Sequence, residues 1–368
     1  MTLSRRKTLA LIGGGMVLAA SVGVGGFAAT RTPVKAQRPW GLAGSYDDVR
    51  LNALSYALLA PNPHNLQPWK VALQRDNALT LMHDETRRLP ETDPYDRQIM
   101  IGMGCFLEQM VLAAGVAGYK VELDIDPDGI EGRVARATFV KGGQADPLAA
   151  HMLDRRSCKE PFETRAVPDD LAEMLAPHAD IIRDPERVDA LRALTFEAFM
   201  VETTTPHTMQ ESIDLMRFGK REINAAPDGI DMGGVFFESL ILTGQLTPEI
   251  LADPESFNFK QGIKIYQDLM EQTPAYAVLT SAGNTRVDQV ETGRRWLRLN
   301  LATTGAGLAL HPVSQALQEY PEMTTLYDAA HDLLAPEGHT VQMLGRLGYG
   351  PTIPRTPRWP LEAKLTGG

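Results

Sequence analysis

A helical segment occurs twice in this 368-residue chain. Residues 104–118 align with residues 293–307 at a constant offset of 189, so that Leu112-Ala113 falls on Leu301-Ala302 and Ala117-Gly118 on Ala306-Gly307. Small residues at such positions let two helices approach closely. Strand-like patterns flank the second copy, one ending near Thr280 and one at 308–312. A chance match between two Ala/Gly-rich helices is the alternative. A true duplication makes the chain a fused homodimer. Homodimers commonly build sites on their two-fold interface, and fusion frees each copy to lose half of each site.

The two halves differ in the polar residues they carry. In the first, 47–59 has apolar residues at helical spacing, with Ser45 as a candidate cap. The loop at 60–69 follows, where Pro61, Pro63 and Pro68 stop the helix and stiffen the chain. It presents Asn62, His64, Asn65 and Gln67, hydrogen-bonding groups suited to a polar heterocycle; a polar surface loop is the plainer reading. Strands are expected at 70–73 and 79–83 as a hairpin, a helix over 104–119, and strands at 120–125 and 134–140 around a turn at 126–129.

In the second half, a helix over 146–156 leads into Arg155, Arg156, Ser157 and Lys159. Three cations and a hydroxyl within five positions can converge on a compact dianion such as a phosphate monoester, guanidinium supplying a bidentate fork and Lys a point charge. The formal net charge is −10, so the cluster contrasts with its background. A solvated charge cluster at a helix end is the alternative. The next helix starts at Pro168, and its end, Ala176-Pro177-His178, echoes Ala60-Pro61-Asn62 without the remainder of the loop. One half has the polar loop and the other the basic run. One composite site, not two, is the expected consequence.

Residues 191–276 read as a long helical insertion. Met232, Phe236, Phe237, Leu240 and Ile241 make an apolar stretch there. A second dimer interface, a membrane-facing patch, a lid or a packed helical subdomain would each suit it. The tail at 350–360 reads as an extended arm carrying Arg355 and Arg358.

Residues 1–36 read as an address. Arg5-Arg6 precedes an uncharged apolar stretch at 8–30, the mark of a twin-arginine signal, although Thr8 stands where an aromatic is usual. Val34-Lys35-Ala36 offers cleavage before Gln37; an uncleaved membrane anchor is the alternative. That route exports folded proteins and suits one that acquires a cofactor inside the cell. A pI near 5.4 argues against nucleic-acid binding. Two cysteines give neither zinc spacing nor a disulfide framework.

Four of these stretches together resemble the flavin-dependent nitroreductase family. Arg155, Arg156, Ser157, Lys159 and Phe162, followed by Val167-Pro168-Asp169, are similar to its opening motif. Residues 59–69 are similar to its Ala-Pro-Ser-x-x-Asn-x-Gln-Pro-Trp loop, 293–312 to its central helix and following strand, and 348–361 to its closing segment. The fused layout and the leader resemble the Acg-type single-chain branch, in which one polypeptide imitates the usual dimer.

The resemblance implies an α+β, nitroreductase-like fold: two related α/β modules in one chain forming a pseudo-dimer, with mixed, mainly antiparallel sheets flanked by helices. It implies a signal at 1–36, a first module at 37–145, and a second at 146–368 with the insertion at about 191–276. It implies FMN. Arg155, Ser157 and Lys159 are then expected to hold the phosphate, ribityl chain and pyrimidine edge, with Arg156 lining the same pocket. Pro61, Asn62, Pro63 and Asn65 are expected to contact the ring and ribityl chain from the other half, with His64 and Gln67 in the same loop. Pro312, Val313 and Ser314 would lie against the isoalloxazine near N5, and Arg355 and Arg358 would reach the phosphate.

No catalytic side chain is expected, since the flavin carries the chemistry. The expected function is an FMN-dependent oxidoreductase reducing nitroaromatics, quinones or similar electrophiles. The alternative is an exported FMN-binding protein that stores flavin without turnover. Flavin cleavage and dehalogenation share the fold. The expected partners are a small-molecule acceptor and an electron donor, NAD(P)H in the cytoplasm or a protein or quinol outside it. The chain is expected as monomer or homodimer.

Overall fold

The computed structural model describes residues 30–125 and 132–367, so the leader up to residue 29 and the expected turn at 126–129 lie outside the described residues. Helices α1 (Val34–Leu42) and α2 (Val49–Ala57) lead into a hairpin of β1 (Trp69–Leu73) and β2 (Ala78–His83). Then come α3 (Arg97–Val116), β3 (Tyr119–Ile125) and β4 (Arg133–Lys141). The second half opens with α4 (Asp169–Leu175), β5 (Asp180–Ile182) and α5 (Pro185–Thr204). It continues through α6 (Pro206–Asp214), β6 (Met216–Phe218), α7 (Gly219–Ala225), β7 (Ile230–Met232), α8 (Gly234–Leu242), α9 (Pro248–Ala252) and α10 (Phe257–Glu271). Next are β8 (Ala275–Ser281), α11 (Arg286–Gly305), β9 (Ala309–Pro312), α12 (Thr324–Leu334), β10 (Thr340–Gly348) and β11 (Leu365–Thr366).

Two sheets share one strand order: β1-β2-β4-β3 in the first half and β5-β8-β10-β9 in the second. All these neighbours are antiparallel. In each sheet a central helix follows the second strand, α3 after β2 and α11 after β8. The modules are therefore equivalent in topology, and β3 and β9 overlap at the 189 offset seen in the sequence. The fold is the α+β pseudo-dimer that was expected. One strand crosses over: β11 pairs in parallel with β1, so residues of the second module complete the first sheet.

The two central helices pack on each other at their glycines. A Cβ at Gly104 would stand 2.9 Å from the Gly293 Cα and far inside contact with the Val290 carbonyl. A Cβ at Gly293 would meet the Ile101 carbonyl in the same way. Positions 101 and 290 are again 189 apart. Helix α3 is long and apolar enough to cross a membrane, yet it is almost wholly buried as the core of this interface. Glu108 of α3 is buried against α11 and accepts from Arg294 (2.9 Å) and Arg298 (2.8 Å).

Three local expectations are corrected. Residues 146–156 are not an α-helix; a 3-10 turn at Pro147–His151 is capped by Asp146, and the chain then turns so that Arg155 points inward. Asp48, not Ser45, caps α2, its carboxylate accepting the Arg50 N–H, while the Ser45 hydroxyl is spent on the Leu42 carbonyl. The 191–276 segment is not all addition: Leu191, Leu194 and Ala198 of α5 and Leu269 and Met270 of α10 belong to the second core.

Ala36 and Gln37 lie within α1, with Ala36 buried and its carbonyl accepting the Arg358 N–H (2.8 Å). In the folded protein that bond is not in an extended, accessible segment. Both cysteines are free and buried.

Candidate functional site

The loop after α2 is strained and clamped. His64 (φ 45°), Asn65 (φ 54°) and Gln67 (φ 52°) take left-handed backbone, which costs an L-residue roughly 1–2 kcal/mol each. Distant groups hold it there. The Gly229 N–H donates to the Asn65 carbonyl (3.2 Å), Arg87 to that of Leu66 (3.0 Å) and the Lys364 ammonium to that of Gln67 (2.6 Å). The Asn62 carboxamide oxygen accepts the Gln67 N–H (2.8 Å).

Two of the loop's amides, expected to serve a ligand, are bonded within the protein. The Gln67 side chain is buried, donating to the Pro227 carbonyl (2.7 Å) and accepting the Trp359 N–H (2.9 Å). The Asn65 side chain donates to the Pro357 carbonyl (3.2 Å) and accepts from Arg358 (2.6 Å). Asp228 reinforces this junction, accepting from Arg87, Arg217 and the Trp359 indole. These groups tie the insertion and the C-terminal arm to the loop. Pro61, Pro63 and His64 remain half-exposed.

The basic run of the second half meets this loop. Arg155 is buried and, among the described residues, donates once, to the Leu59 carbonyl (3.0 Å), with no partner there for its Nε and Nη1. Arg358 donates to the same carbonyl (3.1 Å), and also to those of Leu58, Ala60 and Pro357, to the Thr356 hydroxyl and to Asn65. Arg358 is thus fully used within the protein and is not free to grip a phosphate as expected. Arg156 stands over the Trp40 ring at 4.6 Å, with Arg355 at 5.6 Å and Arg358 at 5.8 Å from the same ring.

These cations repel. Burial, then neighbouring Arg156, pushes Arg155 down to about 10. Burial, then Arg155 and Arg156, pushes Arg358 down to about 9. A buried cation without a counter-charge is costly. The arrangement asks for an anion, and the open nitrogens of Arg155 and Arg156 are placed to meet it, with Ser157 half-buried beside them.

Lys159 feels charged and titratable groups from both halves. Much of its surface is accessible, while desolvation pushes its ammonium below the ordinary value against the pull of Glu202 and Asp231. Burial and then Lys159 push His64 down to about 4. Burial, Arg346 and Lys159 hold His311 well below its ordinary value. Arg346 donates to the His311 Nδ1 (3.2 Å), which fixes a neutral imidazole protonated at Nε2. Burial pushes Glu202 up although Gln318 donates to it (3.0 Å). Lys159 thus interacts electrostatically with imidazoles from both halves, with Glu202 of α5 and with Asp231.

Strand β9 ends at Pro312, which is half-buried. The Val313 N–H is spent on the Leu344 carbonyl (2.9 Å), so Val313 offers no backbone donor to a ligand. Ser314 is nearly buried, with its hydroxyl 3.8 Å from the Met343 sulfur.

The structure therefore brings Arg155, Arg156 and the 60–68 loop together through Leu59 and Arg358, across the two halves. Sequence reasoning missed Trp40, Glu202, Asp231, His311 and Arg346 as members of this neighbourhood. Arg346 could have been noticed as a cation inside the apolar β10, and Glu202 as an acid near the end of a core helix.

No protein-family model matches the chain. It is 26% identical over 340 residues to a protein of Mycobacterium tuberculosis named "Putative NAD(P)H nitroreductase", covering 84% of this chain and 91% of that one. It is 24% identical over 340 residues to "Putative NAD(P)H nitroreductase acg" of the same organism, covering 86% and 94%. Among solved structures, a "putative nitroreductase" from Anabaena variabilis aligns over 92% of this chain and 93% of that chain at 13% identity and a TM-score of 0.45. The FMN-dependent nitroreductase NfnB from Mycobacterium smegmatis aligns over 60% and 98% at 18% identity and a TM-score of 0.38.

Proposed function

Because this chain is homologous along most of its length to mycobacterial proteins named as NAD(P)H nitroreductases, we propose that it is an FMN-dependent oxidoreductase reducing nitroaromatics, quinones or similar electrophiles. The observation that carries the reading is Arg155: a buried guanidinium with two unpartnered nitrogens, at the junction of the halves. FMN fits there. Arg155, Arg156 and Ser157 would hold its phosphate, with Arg355 close by over Trp40.

FMN, when bound, supplies hydride and electron transfer, and the protein supplies position and electrostatics. Lys159 would place positive charge at the pyrimidine edge, where charge develops on reduction. Pro61, Pro63, His64 and the turn at 312–314 would form the walls. Asn65, Gln67 and Arg358 act as positioning residues, holding the strained loop. His64 is neutral near pH 7 and offers the ring a polar but uncharged edge.

NAD(P)H is the donor suggested by the relatives' names, and a protein or quinol is the donor if the protein is exported. Arg5-Arg6 and the apolar stretch after it support the twin-arginine route. The placement of Ala36 inside α1 supports a leader that is retained. Photoreduction of the purified FMN-loaded protein, followed by a nitroaromatic or a quinone, tests the function. Rapid reoxidation is expected; indifference to every acceptor would favour storage, and a protein that takes up no FMN would remove both readings.

A further inference from the structure

Helix α8 is inside out. Glu238 is the only charged residue in Gly234–Leu242 and also the only residue the helix buries. Val235, Phe236 and Leu242 are 40%, 50% and 70% exposed. Clustered exposed apolar side chains mark an interaction surface.

The buried acid faces the start of the folded chain. Glu238 pairs with Arg31 (2.7 Å) and accepts the Lys220 N–H (3.0 Å). The Lys220 ammonium donates to the Thr30 carbonyl (2.7 Å). Thr30 closes the uncharged apolar stretch at 8–30. That stretch therefore joins the folded protein beside the exposed face of α8.

Cations border the same face. Arg31, Lys220 and Arg221, with Glu238, Ile241 and Leu242, line a cleft of about 320 Å³. Lys35 and Arg38 are exposed on α1, which packs on α7 and bonds to it through Asn224. Against these five cations stand Glu222, Asp231 and Glu238, which leaves a local positive excess in a chain of net charge −10. An apolar helix face rimmed by Lys and Arg is the pattern of an element lying in a bilayer interface, with the apolar side chains at the acyl boundary and the cations on anionic headgroups.

We propose that this face of α8 docks on a lipid bilayer, Val235, Phe236 and Leu242 entering the interface and Lys220 and Arg221 meeting headgroup phosphates. Glu238 is turned inward because a carboxylate on that face would be repelled by the same headgroups. The docking requires no flavin, so it stands or falls apart from the oxidoreductase reading.

The test uses the full chain carrying Phe236→Cys labelled with an environment-sensitive dye; Cys105 and Cys158 are buried. Vesicles of phosphatidylcholine with phosphatidylglycerol should shift the emission to the blue, and lipids with a shallow nitroxide should quench it more than lipids with a deep one. A label at Glu173→Cys, exposed on α4, should not respond. No response at 236, or an equal response at both positions, would overturn the proposal. So would a blue emission already present without vesicles: lost on dilution, it would mean a second copy covers the face, and persisting, the chain's own apolar stretch. Alkaline carbonate extraction of the unlabelled chain reads leader anchorage separately. Replacing Lys220 and Arg221 with Gln should reduce the vesicle response several-fold on anionic lipid and leave it unchanged on pure phosphatidylcholine.

Discussion

Gly104 and Gly293 meet face to face at the centre of the molecule, each occupying the space a side chain on the other would need. They are also each other's counterparts in the repeat. The contact is therefore a pseudo-two-fold crossing, and it is closest where the duplicated sequence matches itself.

A methyl group at either position has nowhere to go, because the obstructing atoms are backbone. Gly104→Ala or Gly293→Ala should destabilise by about 3 kcal/mol or more, at the upper end for overpacking. Gly262→Ala is the control: it sits in α10 with open space around it and should be neutral or stabilise by about 0.5–1 kcal/mol. Denaturant midpoints read both. Equal effects at the two kinds of site would remove the close crossing.

Arg155→Met separates ligand grip from stability. The native guanidinium makes one hydrogen bond among the described residues, so the FMN-free variant should lose no more than about 1 kcal/mol. FMN affinity, followed by visible absorbance, should drop on the order of 100-fold or more, the effect of deleting a buried charge that pairs with an ionic ligand. A variant that binds FMN normally would place the phosphate elsewhere.

Arg358→Lys should do the reverse. Its guanidinium serves carbonyls at Leu58, Leu59, Ala60 and Pro357 and the Asn65 side chain, and an ammonium cannot span them. A loss of about 2–3 kcal/mol is expected from the acceptors left behind. The arm at 350–360 should then become a site of limited proteolysis. An arm as resistant as in the native protein would show that other contacts suffice.

His64 gives a pH signature. Its value in the folded protein, about 4, is below the ordinary 6.5. Between those values the unfolded chain takes up a proton that the folded chain does not. The stability associated with the neutral imidazole is present above about pH 6.5 and is lost as pH falls toward 4. The difference in unfolding free energy between the native protein and His64→Asn should shrink across that window and be flat on either side. A difference independent of pH would mean the imidazole is not desolvated by its surroundings and Lys159.

The repeat and the basic run were legible because each stands out locally, one by self-similarity and one by charge against an acidic background. The composite nature of the site followed from asking which half lacked which part. The duties of Asn65, Gln67 and Arg358 were not legible, because their partners lie 160 to 300 residues away or on one another. An amide in a Pro-rich loop looks the same whether it faces a ligand or a distant carbonyl. Glu202 and Asp231 approach Lys159 only through tertiary packing. The exposed face of α8 was hidden for a related reason: an apolar run reads as core until the structure shows that its single acid points inward. Strand β11 has two residues, too few for any periodic signal.

The long-range clamps on the 60–68 loop come from residues 229, 358 and 364. During synthesis the loop emerges long before any of them. Arg87 can reach the Leu66 carbonyl early, but the full set of clamps on the left-handed turn is complete only when some three hundred further residues have been made and folded back, a closure whose sequence separation makes it slow. The fully clamped loop therefore exists only after the C-terminal arm has been translated, and a molecule enclosed there meets the complete set of contacts only then.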